Sequence, residues 1–96
     1  MKKGNQKTLG DAIEEYLKAF RLDGKLAETR AISSWEKLMG PAISKHTKSI
    51  YIKNKTLYIS FDSAVLRKEL SFAKDKIKSM LNKEAGIEVI TEVFLS

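Results

Sequence analysis

The segment "SIYIKNKTLYISF", residues 49–61, constrains the fold more than any other stretch of the chain. Ile50 and Ile52 alternate with polar or amphipathic residues, as do Leu57, Ile59 and Phe61, and Asn54-Lys55 separates the two runs. A period of two broken by such a pair predicts a β-hairpin with a two-residue turn. That turn pairs Ile52 with Leu57, Tyr51 with Tyr58 and Ile50 with Ile59. All four aliphatic residues then share one face and the tyrosines share the other, so a slip by one residue would expose the whole apolar set.

On either side the period changes to that of a helix. Thr8 is placed to cap a helix with Asp11 three residues on, and Leu9, Ala12, Ile13, Tyr16, Leu17 and Phe20 form its apolar stripe. Asp23-Gly24 is expected to end it. A second helix is predicted from about Lys25 to Met39, burying Leu26, Ile32, Trp35 and Met39 or Leu38, with Gly40-Pro41 as its stop. Pro41 can open a short further helix in "PAISKHT". After the hairpin, Asp62-Ser63 caps a long helix from Ala64 to about Lys83. Leu66, Leu70, Ala73, Ile77 and Leu81 are its buried stripe, with Phe72 and Met80 beside it, and residues 82–86 end it. "GIEVITEVFLS" is β-branched and alternating, and is read as a third strand whose Ile90 and Phe94 join the tyrosine face.

The order α-α-β-β-α-β predicts an α+β domain, a three-stranded sheet with helices packed on one face. Ninety-six residues are enough for one core and too few for two self-sufficient domains. Residues 1–7, MKKGNQK, read as a mobile basic tail and residues 8–96 as a single domain. No apolar run approaches the ~20 residues of a spanning helix, and cysteine is absent, so a cytoplasmic protein with no membrane partner is expected.

The chemistry of the residues argues against an enzyme. The one histidine, His46, has Ser44 and Thr47 nearby but no acid close in sequence to orient its ring. The cations of "KHTK" oppose a metal, and the scattered glycines form no phosphate loop, so no cofactor is expected.

What remains is a charged surface. The net charge is +6, and residues 25–60, with seven Lys/Arg against two acids, carry +5 of it. Lys45, His46, Lys48, Lys53 and Lys55 follow one another along one segment and its hairpin, beside Tyr51 and Tyr58, and Arg67 and Lys68 are placed to extend the patch. Cations that neutralise phosphates next to flat rings on which unpaired bases stack suit a single-strand nucleic-acid binder. Paired tyrosines also stabilise a hairpin by themselves, and lysines protect sheet edges. A protein-interaction adaptor docking through the sheet face and an RNA-binding domain are therefore the rival readings. On a helical stripe, Trp35 reads as core.

The succession "WEKLMG", "AISKHT", a basic hairpin ending in "LYISFDSAVLRKELSF", "LN" near the end of the next helix and a β-branched closing strand resembles the DciA family of bacterial replication proteins, over about Thr8 to Ser96. The landmarks it carries over are Trp35, Gly40, His46, Leu57, Leu66, Leu70 and Asn82. The resemblance implies a KH-like fold and a non-enzymatic accessory that contacts the hexameric replicative helicase and helps it engage single-stranded DNA. The Gly-x-x-Gly loop by which KH domains clamp a backbone is absent, so binding must use other residues. Longer members carry a further region beyond the domain, which this chain is expected to lack or replace with its basic tail.

Overall fold

A computed structural model describes residues 8–96 and, within its first helix, leaves the side chains of residues 14 and 16–23 undescribed. The expected tail, residues 1–7, and the stripe side chains of Tyr16, Leu17 and Phe20 therefore lie outside the described residues. The elements are α1 (Leu9–Ser33), α2 (Trp35–Met39), α3 (Pro41–Ser44), β1 (Thr47–Lys53), β2 (Thr56–Phe61), α4 (Ala64–Ser71), α5 (Lys74–Ala85) and β3 (Glu92–Leu95).

The sheet has the order β1-β2-β3, with β1 and β2 antiparallel and β2 and β3 parallel. This is the α+β, three-stranded architecture expected of the chain. The hairpin register is also as expected: Ile50 faces Ile59, Tyr51 faces Tyr58 and Ile52 faces Leu57. Asn54 and Lys55 both take positive φ, 51° and 61°. Two such residues in succession give a turn whose twist matches that of the strands it joins.

The helices depart from expectation in two places, for one shared reason. The helix continues through Gly24, and α1 ends only at Ser33. A glycine inside a helix costs about 1 kcal/mol relative to alanine but does not stop it. The break falls instead at Ser34, whose Oγ donates to the Ala31 carbonyl at 2.7 Å while its N–H bonds the Arg30 and Ala31 carbonyls. The predicted Ala64–Lys83 helix likewise breaks after Ser71, whose Oγ donates to the Lys68 carbonyl, and Phe72 and Ala73 bond three residues back. A serine hydroxyl that takes the carbonyl three residues behind competes with the helix ladder. The predicted caps are in place, since Thr8 Oγ1 accepts from the Asp11 N–H and Ser63 Oγ from the Leu66 N–H.

One consequence is testable. A Cβ built on Gly24 meets nothing within 4 Å, and its φ is not positive. Gly24→Ala is expected to raise stability by about 0.5–1 kcal/mol in a denaturant melt. A loss would mean that the helix turns at Asp23-Gly24 after all.

The core comprises Leu57, Ile59 and Phe61 from β2, Leu70 from α4, Ile77, Leu81 and Ala85 from α5, Val89, Ile90, Trp35, and Ala27 and Ala31 from α1. Trp35 is core as expected, and the stripe of the last helix holds through Leu70, Ile77 and Leu81. Leu26, expected to be buried, is 57% exposed, because α1 turns the small Ala27 and Ala31 inward where it packs on α5. Arg30 strengthens that seam by donating Nη2 to the Ala85 carbonyl at 2.7 Å, at the C-terminal end of α5 where a cation is favoured. Phe72, placed beside the buried stripe, is 82% exposed at the α4–α5 junction.

The third strand is shorter than expected. Asn82 Oδ1 accepts from the Val89 and Ile90 N–H groups, and its Nδ2 donates to the Ile90 carbonyl, each at 2.9 Å. Those groups are thereby withdrawn from any ladder, and Ile90, expected on the tyrosine face, is fully buried in the core. Pairing resumes where the Thr91 N–H donates to the Lys55 carbonyl at 2.7 Å. Gly86, with φ 89°, makes the left-handed cap that ends α5 before this segment.

Candidate nucleic-acid interface

The face of the sheet opposite the core carries three rows of side chains across the strands, set by the register. Tyr51, Tyr58 and Phe94 form the central row. Lys53, Thr56 and Glu92 form the row nearer the hairpin turn. On the other side Ser49 faces Ser60, whose Oγ lies 2.9 Å from that of Ser96. The aromatic row is open: Tyr51 is 50% and Phe94 54% exposed.

Within the row the Tyr51 and Tyr58 rings stack, with centroids 5.0 Å apart and planes at 17°, and Phe94 tilts against Tyr58 at 5.8 Å and 58°. Tyr58 thus has a ring on either side, while Tyr51 and Phe94 each have one. A base can extend the stack from its ends, at Tyr51 on the edge strand or at Phe94, whereas the middle ring, Tyr58, supports the other two. Strand alternation alone is enough to place Phe94 on this face.

The cations divide into three groups. Lys53 lies on the aromatic face, and Lys55 occupies the hairpin turn next to it. Lys45 and His46 sit at the α3–β1 junction, and Lys48, at the irregularity in β1 pairing, lines a hollow with Ile32, Trp35, Glu36 and Ser44. Arg67 and Lys68 are on α4, lining a different hollow with Leu95 beside β3, the sheet edge opposite to Lys48. The chain order that suggests one continuous patch is thus folded around a sheet. None of these lysines or Arg67 pairs with a described carboxylate within 4 Å.

His46 does have an acid beside it, contrary to the reading from its sequence neighbours. Its Nδ1 lies 2.8 Å from Asp62 Oδ1, and the Asp62 N–H donates to the His46 carbonyl at 3.0 Å. Strand pairing brings the sixteen-residue separation to contact. The arrangement ties the start of β1 to the end of β2, and both side chains are about half exposed. Among the described residues no three His, Asp or Glu side chains gather where they could hold a metal ion. No described helix is long and apolar enough to cross a membrane.

Residues 8–95 match the family model described as "Dna[CI] antecedent, DciA". The chain is also 28% identical over 86 residues to a UPF0232 protein of Corynebacterium glutamicum (strain R). That alignment covers 90% of this chain and 48% of the relative, so the chain spans about half the length of the curated protein it matches. With nearly all of its described fold inside the match, the chain belongs to the DciA family, a family of replicative-helicase loaders.

Proposed function

We propose that this protein is a non-enzymatic accessory of the bacterial replicative DNA helicase that binds single-stranded DNA through the open sheet face and its basic hairpin. The observation that carries the reading is the row Tyr51, Tyr58 and Phe94 lying uncovered beside Lys53 and Lys55. Exposed rings stack on unpaired bases, which a duplex does not offer, and the lysines neutralise the phosphates between them. Lys45, His46 and Lys48 form a separate cationic group at the start of β1, where they are placed to attract the strand beyond the rings. Family membership supports the helicase as the protein partner.

The rings also support the adaptor reading, since an apolar sheet face of this kind suits a protein surface. Salt and strand type separate the two. Fluorescence anisotropy with single-stranded DNA, duplex DNA and RNA of equal length is expected to show single-stranded DNA bound most tightly at near-physiological salt. Lys53→Glu with Lys55→Glu is expected to weaken that binding about tenfold or more. Loss of two phosphate contacts should also flatten the dependence of log K on log salt by about 1.4. The melting temperature should hardly move, because both residues are exposed. Unchanged affinity in the double variant would remove the hairpin from the interface, and helicase capture that withstands nuclease and high salt would favour the adaptor.

A further inference from the structure

The most exposed large apolar side chain among the described residues is Phe72, 82% exposed at the break between α4 and α5. An aromatic ring left in water forgoes the stabilisation of burial, and a single such residue is common enough to need no explanation. Its surroundings are less ordinary. The residues flanking the break, Ser71 and Lys74, line one hollow with Ala64, Arg67, Lys68 and Leu95. That hollow brings three cations and no carboxylate beside Ala64 and Leu95.

Helical geometry relates the ring to the hollow. At about 100° per residue, Arg67, Ser71, Ala64 and Lys68 follow one another around α4, and Phe72 comes next to Lys68. The acid of this helix, Glu69, falls on the far side of Phe72 from the hollow. Leu95 belongs to β3, an edge strand that pairs with β2 on one side. Toward the start of β3 the charge becomes mixed, in a neighbouring hollow that Lys74 also lines, with Asp75, Lys78 and Glu92. The cationic end is therefore the Leu95 end.

We propose that Phe72, Arg67, Lys68 and Lys74 form a second single-stranded nucleic-acid site, separate from the hairpin face, in which a base stacks on Phe72 and the adjoining phosphates lie along the three cations. The proposal rests on the nucleic-acid reading above and extends it to the opposite edge of the sheet. It also assigns Arg67 and Lys68 to this site instead of to an extension of the hairpin patch. A ring that can stack only on an unpaired base makes the site selective for single strands.

The test compares Phe72→Ala and Arg67→Glu with Lys74→Glu against the Lys53/Lys55 double variant, by anisotropy with a labelled oligothymidylate and with duplex DNA. Phe72→Ala is expected to weaken single-strand binding about tenfold and leave duplex binding unchanged. The charge reversals should weaken single-strand binding by a similar factor and lower its salt dependence. Phe72→Trp should retain affinity, and its added emission should be quenched by the oligonucleotide. If Phe72→Ala and the α4–α5 reversals bind like the parent while the hairpin variant does not, the second site is overturned and the hairpin face stands. If the parent itself binds no nucleic acid at near-physiological salt, both readings fall. Loss of helicase capture with DNA binding intact in the Phe72 variant would overturn the site in favour of a protein contact.

Discussion

Trp35→Ala is expected to cost about 3–5 kcal/mol, a fifth or more of the roughly 5–15 kcal/mol available to a domain. Trp35 is 3% exposed and belongs to the core cluster shared by helices and sheet, so its removal leaves a large cavity that neighbours fill only in part. Its indole N–H donates to Thr47 Oγ1 at 3.0 Å, and that hydroxyl donates in turn to the Ile43 carbonyl at 2.9 Å. The chain of bonds joins α2, the end of α3 and the start of β1. Thermal unfolding should fall by at least about 12 °C, given roughly 4 °C or more per kcal/mol in a domain of this length. Trp35→Phe keeps most of the buried area and should cost much less, about 1–2 kcal/mol. Thr47→Val should cost about 1–3 kcal/mol, because it leaves the indole N–H unpaired in the core. The two changes together should cost less than their sum, since the second removes a partner already absent. Additive losses would mean that the bond carries no stability of its own.

Trp35 also shows where sequence reasoning succeeds. A helical stripe and the size of the side chain are enough to assign it to the core, and the hairpin register follows from the period of two and the Asn54-Lys55 pair. Both are local signals that tertiary structure has no reason to override. The helix breaks escape such reasoning because attention to glycine and proline favours Gly24, whereas the operative residues are Ser34 and Ser71. Both serines are visible in the sequence, but whether a hydroxyl turns back on the ladder is not encoded in the residue type, which occurs inside helices as well as at their ends. Ile90 is misplaced by its sequence pattern for a similar reason. Alternation continues smoothly through residues 87–95, and only the hydrogen bonds of Asn82 decide that the first part of that run is not strand.

The same logic limits what the sequence encodes of the candidate interface. Tyr51, Tyr58 and Phe94 share a face by parity, and parity is a sequence property. That Arg67 and Lys68 lie at the far sheet edge from Lys48 depends on β3 joining β2 in parallel, a choice of strand order that periodicity does not encode. The Asp62 partner of His46 is hidden in the same way, by a separation that only the paired strands close.

Asn82→Ala is expected to cost about 2–4 kcal/mol, because three backbone groups lose their partner at once and all of them belong to residues buried in the core. Removing the side chain should act on more than global stability. The bonds of Asn82 fix residues 89–90, the Thr91 N–H then meets the Lys55 carbonyl, and from that point Phe94 falls opposite Tyr58. Asn82 therefore helps to set the register of the ring row on the opposite face of the sheet. Hydrogen exchange should quicken at the Val89 and Ile90 amides under conditions where the amides of β1 and β2 stay protected. Asn82→Asp keeps an acceptor for the two N–H groups but sets an oxygen against the Ile90 carbonyl, and should fall between parent and alanine variant. If Asn82→Ala melts like the parent and its Val89 and Ile90 amides remain protected, the segment is held by the burial of Val89 and Ile90 alone. Loss of single-strand affinity beyond the unfolded fraction would instead tie the buried amide network directly to the face on which bases are proposed to stack.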